Sequence, residues 1–244
     1  SRLCLGQCEH GTVLASESPA NLEYTRDVYL SDEHEIAKMT PNSVSFYELD
    51  GTQHEKKSMH VDWNVEAAEK GGFEHFMLKE IHEEPDAMRN TLMLMMDATE
   101  QGTALRQDVL KMDGEMVKGI SKIVVCACGT AYHAGLVGKL VIEKMAKIPV
   151  DVEIASEYRD RDFSLPEDAL VVVVSQSGET ADTIAALREA KRRGVRTLSI
   201  TNVVGSTVAR EADHVLYTWA GPEIAVASTK AFVSQLMVFY VMAA

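Results

Sequence analysis

From about residue 118 the chain alternates short apolar runs with helix-forming segments, and one run, Ala169-Leu170-Val171-Val172-Val173-Val174, carries no polar residue. A strand with one wet face alternates apolar and polar side chains. A strand apolar at every position needs cover on both faces. Helical segments between such strands act as crossovers, which makes the sheet parallel and places helices on both of its faces. The expected strands are 122–128, 150–154, 169–174, 196–200 and 214–218. The expected helices are 131–147, 181–193 with Gly194 as its stop, 206–212, and 228 to the end. The fold class is therefore α/β, a doubly wound parallel sheet.

The first half reads differently. Residues 1–117 hold 10 Lys and Arg against 23 Asp and Glu, whereas 118–244 hold 14 of each, so the net charge of -13 lies wholly in the first half. With 46% hydrophobic and 25% charged residues, the chain is neither disordered nor of low complexity. Ser43–Leu49 alternates polar and apolar and is followed by the turn pair Asp50-Gly51, a hairpin signal; Asp27–Leu30 and Glu35–Ala37 are weaker strand candidates. Residues 62–117 are acidic and rich in helix formers. Phe73, Phe76, Met77, Ile81, Met88, Leu92, Met95 and Met96 recur at helical spacing, with a break expected at Pro85. Glu80, Glu83, Glu84 and Asp86 are read as a solvated helix face.

Composition excludes several classes. An acidic chain without a basic block is poorly suited to nucleic acid. Four cysteines are too few for a disulfide scaffold, and Cys4-x-x-x-Cys8-x-His10 lacks a second ligand pair with zinc spacing. Reduced thiols suit a cytoplasmic protein. The late apolar stretch Ala231–Ala244 is shorter than the roughly twenty residues of a membrane-spanning helix. The chain begins without Met and ends inside that stretch, so it is read as an internal piece of a longer protein, with part of the stretch left exposed and prone to self-association.

In parallel sheets of this kind, ligands bind beyond the carboxyl ends of the strands. Two loops there stand out. Ser175-Gln176-Ser177-Gly178-Glu179-Thr180 places three hydroxyls and an amide at a helix start, where free N–H groups and the positive end of the helix dipole converge. Such a loop cradles a phosphate without Lys or Arg; a plain helix cap needs one such hydroxyl, not three. Cys128-Gly129-Thr130-Ala131 opens the helix after the first strand. No Gly-Lys-Ser/Thr and no G-x-G-x-x-G is present, so a small phosphorylated metabolite is expected rather than a nucleotide. A third loop, Gly221–Lys230, follows the last strand. Within it, Glu223 is read as a surface or helix-orienting residue rather than as an acid or base, and Lys230 as structural or phosphate-proximal rather than imine-forming. His133 is read as a packed or hydrogen-bonded residue rather than a catalytic one, and Cys128 has no matched base that would make it a nucleophile.

These residues carry a resemblance. Ser175–Thr180, Cys128-Gly129-Thr130 and Val226-Ala227-Ser228-Thr229-Lys230-Ala231 resemble the sugar isomerase (SIS) domain family. Gly71–Pro85 and the stretch from Ala15 to Leu30 further resemble, within the glucosamine-6-phosphate synthase family, the inter-domain segment and the end of the glutaminase domain. The resemblance implies 1–65 as the end of a β-rich glutaminase-like domain, 66–117 as a helical linker and 118–244 as a first SIS domain, truncated at its C-terminus. It implies that Ser175, Gln176, Ser177 and Thr180 hold the phosphate of fructose 6-phosphate. Cys128, Gly129, Thr130, Val226 and Ser228 would line the sugar of that substrate or of the product, glucosamine 6-phosphate. It implies no metal and no other cofactor, and a homodimer built through SIS domains. No catalytic residue is expected within the chain, because the family's acid-base residues and imine-forming Lys belong to a second SIS domain; the chain by itself is expected to be inactive. Ala131 stands where the family often has Ser, which removes one hydroxyl contact. Other SIS proteins remain as alternatives: a deglycase, an aldose/ketose isomerase or a phosphosugar sensor. Those are not expected to carry a glutaminase-like stretch at 1–60.

Overall fold

A computed structural model describes residues 3–15, 18–21, 24–32, 34–61, 70–99, 102–106, 119–161 and 164–244. Contacts divide the chain into two units, Ser1–Gly72 and Phe73–Ala244.

Among the described residues of the first unit, the regular structure is β apart from a 3-10 turn at Ser18–Asn21. Strands β1 (Cys4–Cys8) and β2 (Gly11–Ala15) form an antiparallel hairpin, in keeping with the β-rich reading of this region, which singles out neither strand. With β3 (Asp27–Leu30) and β7 (Met59–His60) they make a sheet ordered β2-β1-β3-β7. Cys4, Val28 and Val61 form its small core. Cys4 and Cys8, four residues apart on one strand, are both free thiols. A second sheet joins β4 (Glu35–Thr40), β5 (Ser43–Glu48) and β6 (Gln53–His54), with the Asp50-Gly51 turn between the last two, as the alternation predicts.

The second unit opens with helix α1 (Phe76–Met95), which runs through Pro85 instead of breaking there. Proline removes one i→i−4 bond. The helix keeps its course because its far face is anchored by tertiary contacts, with Lys79, Glu80, Ala87, Thr91 and Met95 all buried. After α1 the chain forms a β hairpin, β8 (Met96–Thr99) and β9 (Gly102–Leu105), where helix was expected. Residues 66–69, 100–101 and 107–117 of that expected linker lie outside the described residues.

The body of this unit is the parallel sheet, ordered β11-β10-β12-β13-β14, with β10 Ile123–Ala127, β11 Val150–Ile154, β12 Leu170–Ser175, β13 Arg196–Thr201 and β14 His214–Tyr217. Along β12, Leu170, Val172 and Val174 point into one core while Val171 and Val173 point into the other, which accounts for the uninterrupted apolar run. Helices α2 (Gly129–Met145) and α6 (Lys230–Ala243) cover the first face; α3 (Ala155–Asp160), α4 (Ala181–Arg192) and α5 (Thr207–Glu211) cover the second. The short α3 carries too few residues to show a period and was not expected. Helix α4 stops as predicted: Gly194 N–H donates to Lys191 O and Val195 N–H to Ala190 O, the paired bonds of a glycine-terminated helix.

The stretch Ala231–Ala244 is partly exposed, as its composition predicts: Tyr240 is exposed and Phe232, Leu236, Met237 and Met242 are half-buried. In α6, Ala231, Val238, Phe239, Val241 and Ala243 are buried, and the helix packs against both α1 and α2.

Candidate functional site

The strand order places the ends of β10 and β12 side by side. Ala127 pairs with Val174, so Cys128-Gly129-Thr130 and Ser175–Thr180 leave the same sheet edge at neighbouring points. Their shared position is the switch point where the winding of the sheet reverses.

The 175–180 loop is folded on its own hydroxyls. Ser175 Oγ accepts from Gly178 N–H at 3.0 Å and lies 3.0 Å from Thr180 Oγ1; Ser177 Oγ accepts from Glu179 N–H at 3.2 Å. Thr180 is the N-cap of α4 by position, yet its own side chain makes no capping hydrogen bond. That hydroxyl lies against Ser175 Oγ instead, and the dipole of α4 opens on the loop. Gly178 has φ 67° and sits so close to the next strand end that a Cβ would lie 2.8 Å from Thr201 Oγ1 and nearer still to Ser206. Both constraints select glycine.

Neighbouring residues that sequence reading did not single out hold this loop in place. Gln176 O accepts from Asn202 N–H at 3.1 Å, and Gly178 O from Val208 N–H at 3.2 Å. The Glu179 carboxylate accepts from Thr207 N–H at 2.8 Å and from Thr207 Oγ1, so it caps α5 and ties the loop to it. Asn202 also receives Ala220 N–H at 2.9 Å and donates to Gly221 O at 2.7 Å, which carries the third loop to the same edge. The rule that found the first two loops, polar residues just beyond a strand end, would have found Asn202 as well.

In the third loop, Glu223 is the N-terminal anchor of α6: its carboxylate accepts from Thr229 N–H at 2.9 Å, Ala231 N–H at 3.1 Å and Ser228 Oγ at 2.8 Å. That agrees with an orienting role. Val226 stands fully exposed, and Ser228 is half-buried. Lys230 is 3% exposed with Nζ 2.6 Å from Glu83 Oε2, a buried ion pair that removes it from imine chemistry. His133 is exposed on α2, stacked edge-on to Tyr132 rather than packed in the core. Cys128 is half-buried; beneath it Cys126 is fully buried, and burial pushes that thiol's pKa well up.

Glu80 corrects the sequence reading most. It is 2% exposed, not solvated, and its Oε1 accepts from Ile224 N–H at 2.6 Å and Ala225 N–H at 3.1 Å. Among the described residues, no group of three or more His, Cys, Asp or Glu could hold a metal ion, and no helix is long and apolar enough to cross a membrane.

Comparison with known proteins fits this geometry. Residues 117–244 match the SIS domain family. Over 242 residues, 99% of this chain, it is 53% identical to a glutamine–fructose-6-phosphate aminotransferase (isomerizing) of Clostridium acetobutylicum, covering 39% of that protein. It is 56% identical over 235 residues to the enzyme of the same description from Caldanaerobacter subterraneus subsp. tengcongensis, covering 94% of this chain and 37% of that one. The chain thus spans less than two fifths of the length of these relatives. Among solved structures, it resembles the C-terminal domain of glucosamine-fructose-6-phosphate aminotransferase from Francisella tularensis, with a TM-score of 0.66 and 44% identity over 72% of this chain and 48% of that one.

Proposed function

The chain belongs to the SIS domain family, and on that premise we propose that it is the fructose-6-phosphate-binding portion of a transferase that makes glucosamine 6-phosphate from fructose 6-phosphate and glutamine. In this reading residues 1–65 are the end of a glutaminase-like domain, 66–117 the inter-domain segment and 118–244 the first SIS domain. The Clostridium acetobutylicum relative matches 99% of the chain, so the match extends through the first unit, which favours this reading over a deglycase, an isomerase or a sensor. A cytoplasmic location and a homodimer through SIS domains belong to the same proposal.

The observation that carries the assignment is the start of α4, where the N-cap Thr180 makes no side-chain capping bond and the hydroxyls of Ser175, Ser177 and Thr180 gather. A phosphate there meets N–H donors and the helix dipole, and hydroxyls that can turn from one another toward its oxygens. Gln176 adds an amide donor. Cys128, Gly129 and Thr130 approach the sugar from the adjacent strand end, with Val226 and Ser228 on the third loop. The chain's part in the reaction is to bind and orient the sugar phosphate; carbonyl and proton chemistry fall to groups outside it.

Thermal unfolding with and without fructose 6-phosphate tests this. At about 100 times the dissociation constant the ligand adds roughly 2.7 kcal/mol. The expected result is a rise in melting temperature with the phosphorylated sugar, none with fructose, and a smaller rise for Ser177→Ala. Equal responses to fructose and fructose 6-phosphate would overturn the phosphate assignment.

A further inference from the structure

We infer that Glu80 on α1, outside the segment matched to the SIS domain family, is a positioning residue that sets the sugar-facing loop around Val226 and Ser228; the inference rests on the function proposed above. Two carboxylates hold that loop. Glu223 binds its C-terminal side through Ser228, Thr229 and Ala231. Glu80 binds its N-terminal side through the Ile224 and Ala225 amides, Oε1 serving both at 2.6 and 3.1 Å and Oε2 reaching Ala225 at 3.3 Å.

Val226 and Ala227 stand between the two clamps, both exposed, with the Val226 side chain wholly in solvent. A loop residue gains a defined place only when the backbone on both sides is held, and charge-assisted bonds to backbone N–H groups are among the stronger ways to hold it. Without Glu80, two N–H groups packed beside α1 lose their acceptor, so the loop must rearrange to find another. The phosphate loop at 175–180 is held instead by Asn202, Val208 and Thr207. Asn202 touches both halves of the site, through Gln176 O and Gly221 O, but the bonds from Glu80 on α1 go to the sugar half.

The experiment compares wild type, Glu80→Ala, Glu80→Gln and Ser177→Ala by amide hydrogen exchange without ligand, and by binding of fructose 6-phosphate and of inorganic phosphate. Glu80→Ala is expected to speed exchange over 223–228 and not over 175–180. It should weaken fructose 6-phosphate about tenfold, the scale of one lost charge-assisted bond, and leave inorganic phosphate binding unchanged. Glu80→Gln keeps the Oε1 acceptor and should restore both readouts, whereas Ser177→Ala should weaken both ligands. Unchanged exchange over 223–228 in Glu80→Ala overturns the inference. So does unchanged affinity for fructose 6-phosphate, or a parallel loss for both ligands, which marks general destabilisation. A wild-type chain that binds inorganic phosphate but not fructose 6-phosphate overturns the functional reading itself, and the role of Glu80 in a sugar site falls with it.

Discussion

Lys230 Nζ lies 2.6 Å from Glu83 Oε2, and the same carboxylate is 3.5 Å from Lys79 Nζ. One half-buried anion on α1 thus serves two buried cations, one on its own helix and one at the start of α6. Removing one partner of a buried pair costs about 3–5 kcal/mol, chiefly because the other charge is left uncompensated.

Glu83→Ala is therefore expected to destabilise the second unit more than Lys230→Met. The first change takes a carboxylate away from two ammonium groups, whereas the second leaves a carboxylate that still has Lys79 and partial solvent. Urea unfolding measures both. A larger loss for Lys230→Met would show that the pair is supported in some other way.

Gly178→Ala is expected to cost about 1–3 kcal/mol in backbone strain, with steric conflict adding to it. Ser206→Gly in the same protein removes the nearest atoms that the new methyl would meet and should recover part of the loss, not all, because the positive φ remains. Complete recovery in the double variant would mean that φ contributes nothing. Either single change should also loosen the 175–180 loop, detectable as faster exchange at those amides.

Gly138 on α2 faces the ring of Phe239 on α6; a Cβ built there would lie 2.6–2.9 Å from three ring atoms. Gly138→Ala should lower stability by about 1–3 kcal/mol, as overpacking does. Phe239→Leu introduced beside it should cost less than in the wild-type background, since the smaller side chain relieves the conflict. Strict additivity of the two changes by urea unfolding would refute the contact.

The bidentate pair Arg188–Glu211, at 2.9 and 2.8 Å, predicts a pH dependence. Hydrogen bonding from Arg188 holds the Glu211 carboxyl below its ordinary value of 4.5, against partial desolvation that pushes it up. A carboxyl depressed in the folded state contributes its stability above the unfolded value and loses it as pH falls through the lower folded value. Glu211→Gln should therefore be less stable than wild type near neutrality, by no more than ~1 kcal/mol for a solvent-screened pair. The difference should shrink as pH drops below about 4.5 and as salt rises. A difference that widens toward acid would reverse the assigned sign.

The legible parts of the fold are those with local causes. The unbroken run Leu170–Val174, the stop at Gly194 and the turn at Asp50-Gly51 each follow from a few adjacent residues, and each was found at the expected place. The 175–180 loop stood out because hydroxyls and glycine cluster where a strand passes into a helix. Pro85 misled because propensity is a local rule and the packing of α1 outweighs it. Glu80 misled because a lone helical glutamate is usually solvated, and the N–H groups that receive it, at Ile224 and Ala225, leave no mark in residue identity.

The sequence by itself determined the alternation of strands and helices from residue 118, the need for two covering layers, and the chemistry of each strand-end loop, because periodicity and residue type act within a few positions of the chain. Only the tertiary structure decided that β10 lies between β11 and β12, which sets Cys128 beside the 175–180 loop, and that carboxylates on α1 reach the 224–230 segment. Strand order and long-range hydrogen bonds to backbone depend on how the whole core closes, and a backbone amide offers the same donor whatever side chain it carries.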